Sequence, residues 1–140
     1  MASAIYNIYK KDSMGGTVDL DTDTIKAALV TVDYTPNIDT HTAFSDVTNE
    51  VTATGYTAGG ATLASVSVSA DNGNDKGIFD AGDTTWTSSM ISARAAVLYK
   101  ETSATSTSPL IAYIDFGANK SSQLGDFKIT WSSAGIVNLN

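Results

Sequence analysis

Hydrophobic and polar positions alternate with a period near two along several stretches of this chain, and two of those stretches stand close together. Residues 91–100 set Ile91, Ala93, Ala95, Val97 and Tyr99 against Ser92, Arg94, Ala96, Leu98 and Lys100. Residues 110–116 repeat the pattern, with Leu110, Ala112, Ile114 and Phe116 against Ile111, Tyr113 and Asp115. Successive side chains of a strand point to opposite faces, so each run offers a strongly apolar face. The pair predicts a long β-hairpin with residues 101–108 as its exposed connection. Pro109 falls at the first residue of the returning strand, where a missing N–H does least harm. Apolar character on both faces predicts central rather than edge strands.

The rest of the chain reads as shorter strands between turns. Strands are predicted over residues 24–32, 61–70, 76–80, 84–87, 126–131 and 136–139, with turns at 71–75, 81–83 and 134–135 and a loop over 117–125. In residues 3–11, Ile5, Tyr6, Ile8 and Tyr9 have the spacing of a short amphipathic helix, although a strand also fits; Gly15 and Gly16 then turn the chain. Residues 34–60 are polar and irregular. A connection of that length inside a compact domain tends to carry an interaction or to pack as its own unit. Phe44, Val47, Val51 and Tyr56 are the side chains that would pin it, with a helical turn around residues 45–49. About eight strands without helical crossovers predict an all-β, antiparallel β-sandwich of jelly-roll type, with at most a short N-terminal helix. One domain over residues 1–140 is expected, with residues 1–14 as an N-terminal segment suited to act as an interaction arm.

Composition narrows the function more than the fold. With 42% hydrophobic residues in 140, the chain is foldable rather than disordered. It has no cysteine, so no disulfide or thiolate chemistry arises. Fifteen acidic against eight basic residues give a charge of −7, and only Lys10 and Lys11 are adjacent among the bases. Nucleic-acid backbones need clustered cations, so a nucleic-acid partner is not expected. The N-terminus lacks the basic-then-apolar order of a signal peptide, and no apolar run reaches the roughly 18 residues of a membrane span. Synthesis in the cytoplasm and no membrane partner are the expectations.

Candidate chemistry is thin. His41 is the only histidine, lies among threonines and has no Gly-x-Ser-x-Gly elbow beside it. Asp19, Asp21 and Asp23 alternate like the opening of a calcium loop, but Thr24 stands where glycine belongs and no glutamate follows at position twelve. Asp71, Asp75, Asp80 and Asp83 form a second acidic group, read as turn formers with calcium as the alternative. The only glutamates, Glu50 and Glu101, are the pair a glycosidase would need, and the sequence places neither in a cleft. Trp86, Trp131, Tyr56, Tyr99 and Tyr113 would serve either as core or as a sugar-stacking platform. The reading is therefore of a protein without catalytic, cofactor-binding or metal-binding residues.

Several segments, in order, resemble small structural proteins of tailed bacteriophages. They are residues 19–30 (DLDTDTIKAALV), 34–51 (YTPNIDTHTAFSDVTNEV) and 55–63 (GYTAGGATL), then 79–86 (FDAGDTTW), 93–100 (ARAAVLYK), 109–117 (PLIAYIDFG) and 125–131 (GDFKITW). The likeness is closest to capsid decoration, or cement, proteins. It implies a non-enzymatic virion component, a β-sandwich on the outer capsid surface that bridges major capsid protein subunits, made in the host cytoplasm. A homo-oligomer is expected, a trimer before a dimer. No catalytic residues come with the resemblance. Partner contacts are expected from Ile5, Tyr6, Ile8 and Tyr9 of the N-terminal segment and from Tyr34, Ile38, Phe44 and Tyr56 of the long loop, the alternative being that these side chains close one end of the sandwich. A tail- or fibre-associated receptor- or carbohydrate-binding module is the second expectation, and a head–tail adaptor the third.

Overall fold

The computed structural model describes residues 2–140. Its elements are β1 (Ala4–Ile5), α1 (Asn7–Gly15), β2 (Ile25–Val30), β3 (Ala61–Thr62), β4 (Ser67–Asp71) and β5 (Lys76–Asp80), followed by β6 (Thr84–Ser89), β7 (Ser92–Lys100), β8 (Leu110–Ser121), β9 (Gly125–Ile129) and β10 (Val137–Leu139). Short 3-10 turns lie at Phe44–Asp46 and Thr105–Thr107. The fold is all-β and sandwich-like, and every strand pairing is antiparallel. A five-stranded sheet runs β1-β8-β7-β2-β3, a three-stranded sheet β10-β5-β4, and a ribbon pairs β6 with β9. The expected eight strands become ten because two-residue strands, β1 and β3, complete the large sheet. Antiparallel strands in more than one sheet are the coarse content of the jelly-roll expectation; the order within the sheets is the chain's own.

The predicted hairpin is the middle of the large sheet, and β7 is its central strand. Both faces of that sheet are covered. On one, Ile25, Ala27, Leu29, Ala96, Leu98 and Ile111 belong to a core shared with Phe79 of β5, Trp86 of β6 and Phe127 of β9. On the other, Ala28, Val30, Ala95, Val97, Tyr99 and Tyr113 meet Tyr6, Tyr34 and Phe44. The alternation of residues 91–99 does not mark one face throughout. Ile91 and Ala93 join the first core, whereas Ala95, Val97 and Tyr99 join the second. The change of face falls at a register irregularity, where β7 has only Arg94 between Ala93 and Ala95 while β8 has residues 116–119 between their partners Asp115 and Lys120.

Three segments differ from their expected form. Residues 117–125 are not all loop: β8 continues to Ser121 and pairs Ser121 with Ser92 and Lys120 with Ala93. Residues 117–121 are exposed, so no alternation records this part of the strand. Residues 61–70 form two strands, β3 and β4, separated near Ser65, whose φ of 53° breaks the extended chain. The helical turn expected at 45–49 is the 3-10 turn Phe44–Asp46. At the N-terminus both readings hold in succession, β1 and then α1, which stops at Gly16 in the left-handed conformation.

Candidate functional site

The long connection after β2 serves both faces of the large sheet: Tyr34, Ile38, Phe44 and Val47 cover one, while Val51, Ala53 and Tyr56 join the core on the other. Phe44 lies flat on Tyr99 of β7, with ring centroids 4.1 Å apart and planes 8° from parallel. Asp46 fixes the turn that carries Phe44 by accepting hydrogen bonds from the Thr42 and Ala43 amides at 2.8 and 3.1 Å. Those two amides hold its carboxyl below the usual carboxylate range. Further along, Tyr34 and Tyr6 share a hydrogen bond of 2.8 Å between hydroxyls, and the Tyr34 hydroxyl also meets His41 Nδ1 at 2.9 Å. Burial raises the pKa of both tyrosines.

This settles where each expected contact residue lies. Tyr6, Tyr9, Tyr34 and Phe44 are buried, so within this chain their side chains serve packing. Ile5, Ile8, Ile38 and Tyr56 are half-buried against the same two cores. The N-terminal segment is built into the body rather than projecting from it, since Ala4 pairs with Tyr113 and the Tyr6 amide donates to the Ile111 carbonyl.

The structure brings the two glutamates together. Glu50 and Glu101 line one pocket of about 310 Å³, with Lys26, Phe44, Tyr99 and the 102–108 connection around it. The β2–β7 register sets Lys26 opposite Tyr99, and Lys26 Nζ reaches diagonally to Glu101 Oε2 at 2.8 Å. Glu50 Oε2 accepts from the Tyr56 hydroxyl at 2.5 Å and from the Gly59 amide at 2.7 Å. The Tyr99 hydroxyl donates to the Gly59 carbonyl at 2.6 Å. Burial raises the Tyr56 and Tyr99 pKa values, and neighbouring Glu50 raises both further. The pocket thus has a buried aromatic floor, one cation and two carboxylates that act as hydrogen-bond acceptors. No periodic signal links positions 51 residues apart, so the sequence does not announce it. A second pocket, of about 360 Å³, lies where the end of β8 meets β9 and includes Phe116, Lys120, Asp126 and Lys128.

The remaining candidates resolve into local structure. Asp19 and Asp23 accept backbone amides of their own turn, and Asp23 also pairs with Lys100 at 3.1 Å. Asp71 accepts the Gly73 and Asn74 amides, and Asp83 pairs with Lys128 at 3.2 Å. Among the described residues, no group of three or more potential metal-binding side chains converges. Trp86, Trp131, Tyr99 and Tyr113 are buried and form no exposed platform. No helix among the described residues is long and apolar enough to cross a membrane.

Sequence reasoning passed over a different set, the apolar side chains left at the surface. Leu124 is 72% exposed and Met90 51% exposed. They flank the Ser89–Gly125 pair that ends the β6–β9 ribbon, so both sit at the same tip. Leu124 also has a φ of 56°, the left-handed region that costs a branched side chain roughly 1–2 kcal/mol. Comparison of the chain with protein-family models, with curated proteins and with solved structures finds no match.

Proposed function

We propose that this chain is a non-enzymatic structural protein of a tailed-bacteriophage virion, one that decorates the outer capsid and cements it by bridging major capsid protein subunits. The resemblance of its sequence to that class is the starting point. The observation that carries the reading is the Met90–Leu124 tip. An apolar side chain held out at a turn in a strained backbone conformation is a poor feature for an isolated protein and a good one for a contact with another protein. Burial of the aromatic residues supports a rigid body that presents such a tip. The energetics need no chemistry: a protein that binds only the assembled shell stabilises it by about 2.7 kcal/mol per site at a hundredfold excess over its dissociation constant. A charge of −7 favours a soluble free subunit.

The test is to separate virions into heads and tails and measure which fraction carries the chain, and at what copy number. Many copies on heads, with purified protein rebinding to heads that have been stripped of it, is the expected result. A few copies confined to tails would overturn the capsid reading.

A second reading, a receptor- or carbohydrate-binding module on the tail or fibre, draws on the pocket around Lys26, Glu50 and Glu101. Paired carboxylates beside a cation suit the hydroxyls of a sugar. It expects glycans to raise the melting temperature and Glu50→Gln to abolish that rise; no response to glycans would remove it.

A further inference from the structure

The edges of the three sheets are not treated alike. A sheet edge displays unpaired N–H and C=O groups, and folded proteins blunt it by shortness, charge, proline or a bulge. In the large sheet both edge strands, β1 and β3, are two residues long. At one side of the three-stranded sheet, β10 has three residues. In the ribbon, β6 is interrupted by a register shift between Trp86 and Ser89, and β9 carries the exposed charges of Asp126 and Lys128. The exception is β4. It pairs in regular register with β5 over all five residues, Ser67–Asp80 to Asp71–Lys76, and among the described residues no strand lies on its other side. It contains no lysine, proline or bulge, and Ser67, Val68, Ser69 and Ala70 are exposed, Val68 by 53%.

We infer that β4 pairs with β4 of a second copy of this chain, antiparallel about a two-fold axis through Ser69, joining two three-stranded sheets into one of six strands. The sequence of the strand is what selects a copy of itself. With Ser69 opposite Ser69, Val68 faces Ala70 and Ser67 faces Asp71, twice each. The one charged residue therefore meets a serine, and no like charges oppose each other in a chain of charge −7. A pair of this kind is isologous and closes at two copies, so it makes a dimer and not a fibre. The inference does not depend on the capsid reading, because the pairing is measured without capsids.

Ser69 offers a direct test, since directly opposed residues of an antiparallel pair have Cβ atoms about 4.5–5.5 Å apart. The wild-type chain is expected to sediment as a dimer. Ser69→Lys and Ser69→Glu, each alone, are expected to be folded monomers by melting and sedimentation, and an equimolar mixture to restore a one-to-one heterodimer. Because the chain has no cysteine, Ser69→Cys provides a second measurement: mild oxidation should give a disulfide-linked dimer, and Thr85→Cys on exposed β6 should not. A wild-type chain that stays monomeric or forms trimers would overturn the inference. So would charge variants that remain dimeric, or a Ser69→Cys chain that fails to cross-link.

Discussion

Arg94 and Asp115 are joined across the central hairpin where β7 changes the core each of its faces serves. Arg94 Nε donates to Asp115 Oδ1 at 2.7 Å and a terminal guanidinium nitrogen reaches Oδ2 at 3.4 Å. Asp115 sits opposite Ala95, at the edge of the irregularity in the β7–β8 register. The Arg94 hydrogen bond holds the Asp115 carboxyl below its ordinary range. A carboxyl that titrates lower in the folded chain contributes stability above its unfolded pKa, about 3.9, and loses it as pH falls through the folded value. Asp115→Asn should therefore melt below wild type at neutral pH, and the gap should close in melts taken below about pH 4. A gap of constant size down to about pH 2 would show that the ion pair is not its source.

The stack of Phe44 on Tyr99 holds the covering layer to the sheet. Phe44→Ala should cost about 3–5 kcal/mol, the range for truncating a buried phenylalanine. Hydrogen exchange should rise first at the amides of Val47 and Thr31, which bond within or beside that layer. Uniform acceleration across all strands would instead mean that the layer and the sheet open together.

The tyrosine pair makes an asymmetric prediction. Tyr34→Phe leaves the fully buried Tyr6 hydroxyl without its partner and should cost about 1–3 kcal/mol. Tyr6→Phe removes a hydroxyl whose partner still has His41, and about 1 kcal/mol is expected. In chemical denaturation the double variant should lose less than the sum of the two.

Two glycines with similar φ should respond differently. Gly60 has a φ of 81°, and a Cβ there would stand 1.9 Å from the Ala27 carbonyl oxygen on β2. Gly16 has a φ of 78° with open space around it. Gly16→Ala should cost about 1 kcal/mol, for the left-handed backbone alone. Gly60→Ala should cost several times more or prevent folding, because backbone has to move. Equal melting temperatures for the two variants would contradict the close approach.

Leu124→Asn should raise stability by up to about 1 kcal/mol, since asparagine tolerates the left-handed region. If the tip is a docking surface, the same change should weaken capsid rebinding, separating stability from function. Tighter rebinding by this variant would argue for another contact surface.

How much of this was legible in the sequence follows from which positions have one buried face. β5 was read at its observed bounds, and β2, β7 and the start of β8 nearly so, because their apolar positions repeat. The end of β8 is not legible because residues 117–121 are exposed, and only Lys120 and Ser121 among them pair with β7. Residues 34–60 stand out in the sequence as a long connection, and packing against the body is one of its two readings; which side chain meets which face is not legible, since Ile38, Phe44, Val47 and Val51 follow no fixed period. The pocket was invisible for another reason. It depends on the β2–β7 register and on the path by which the loop returns Glu50 to Val30, both set by tertiary structure.

The placement of β1 also dictates an order of events during synthesis. β1 closes the edge of the sheet against β8, pairing Ala4 with Tyr113 and Ile5 with Ala112. Tyr6 then enters a core whose other members reach as far along the chain as Tyr113. On the ribosome Ala4 and Ile5 cannot take their places in the sheet until Ala112 and Tyr113 have emerged. That edge of the sheet is therefore completed late, by residues made well before their partners.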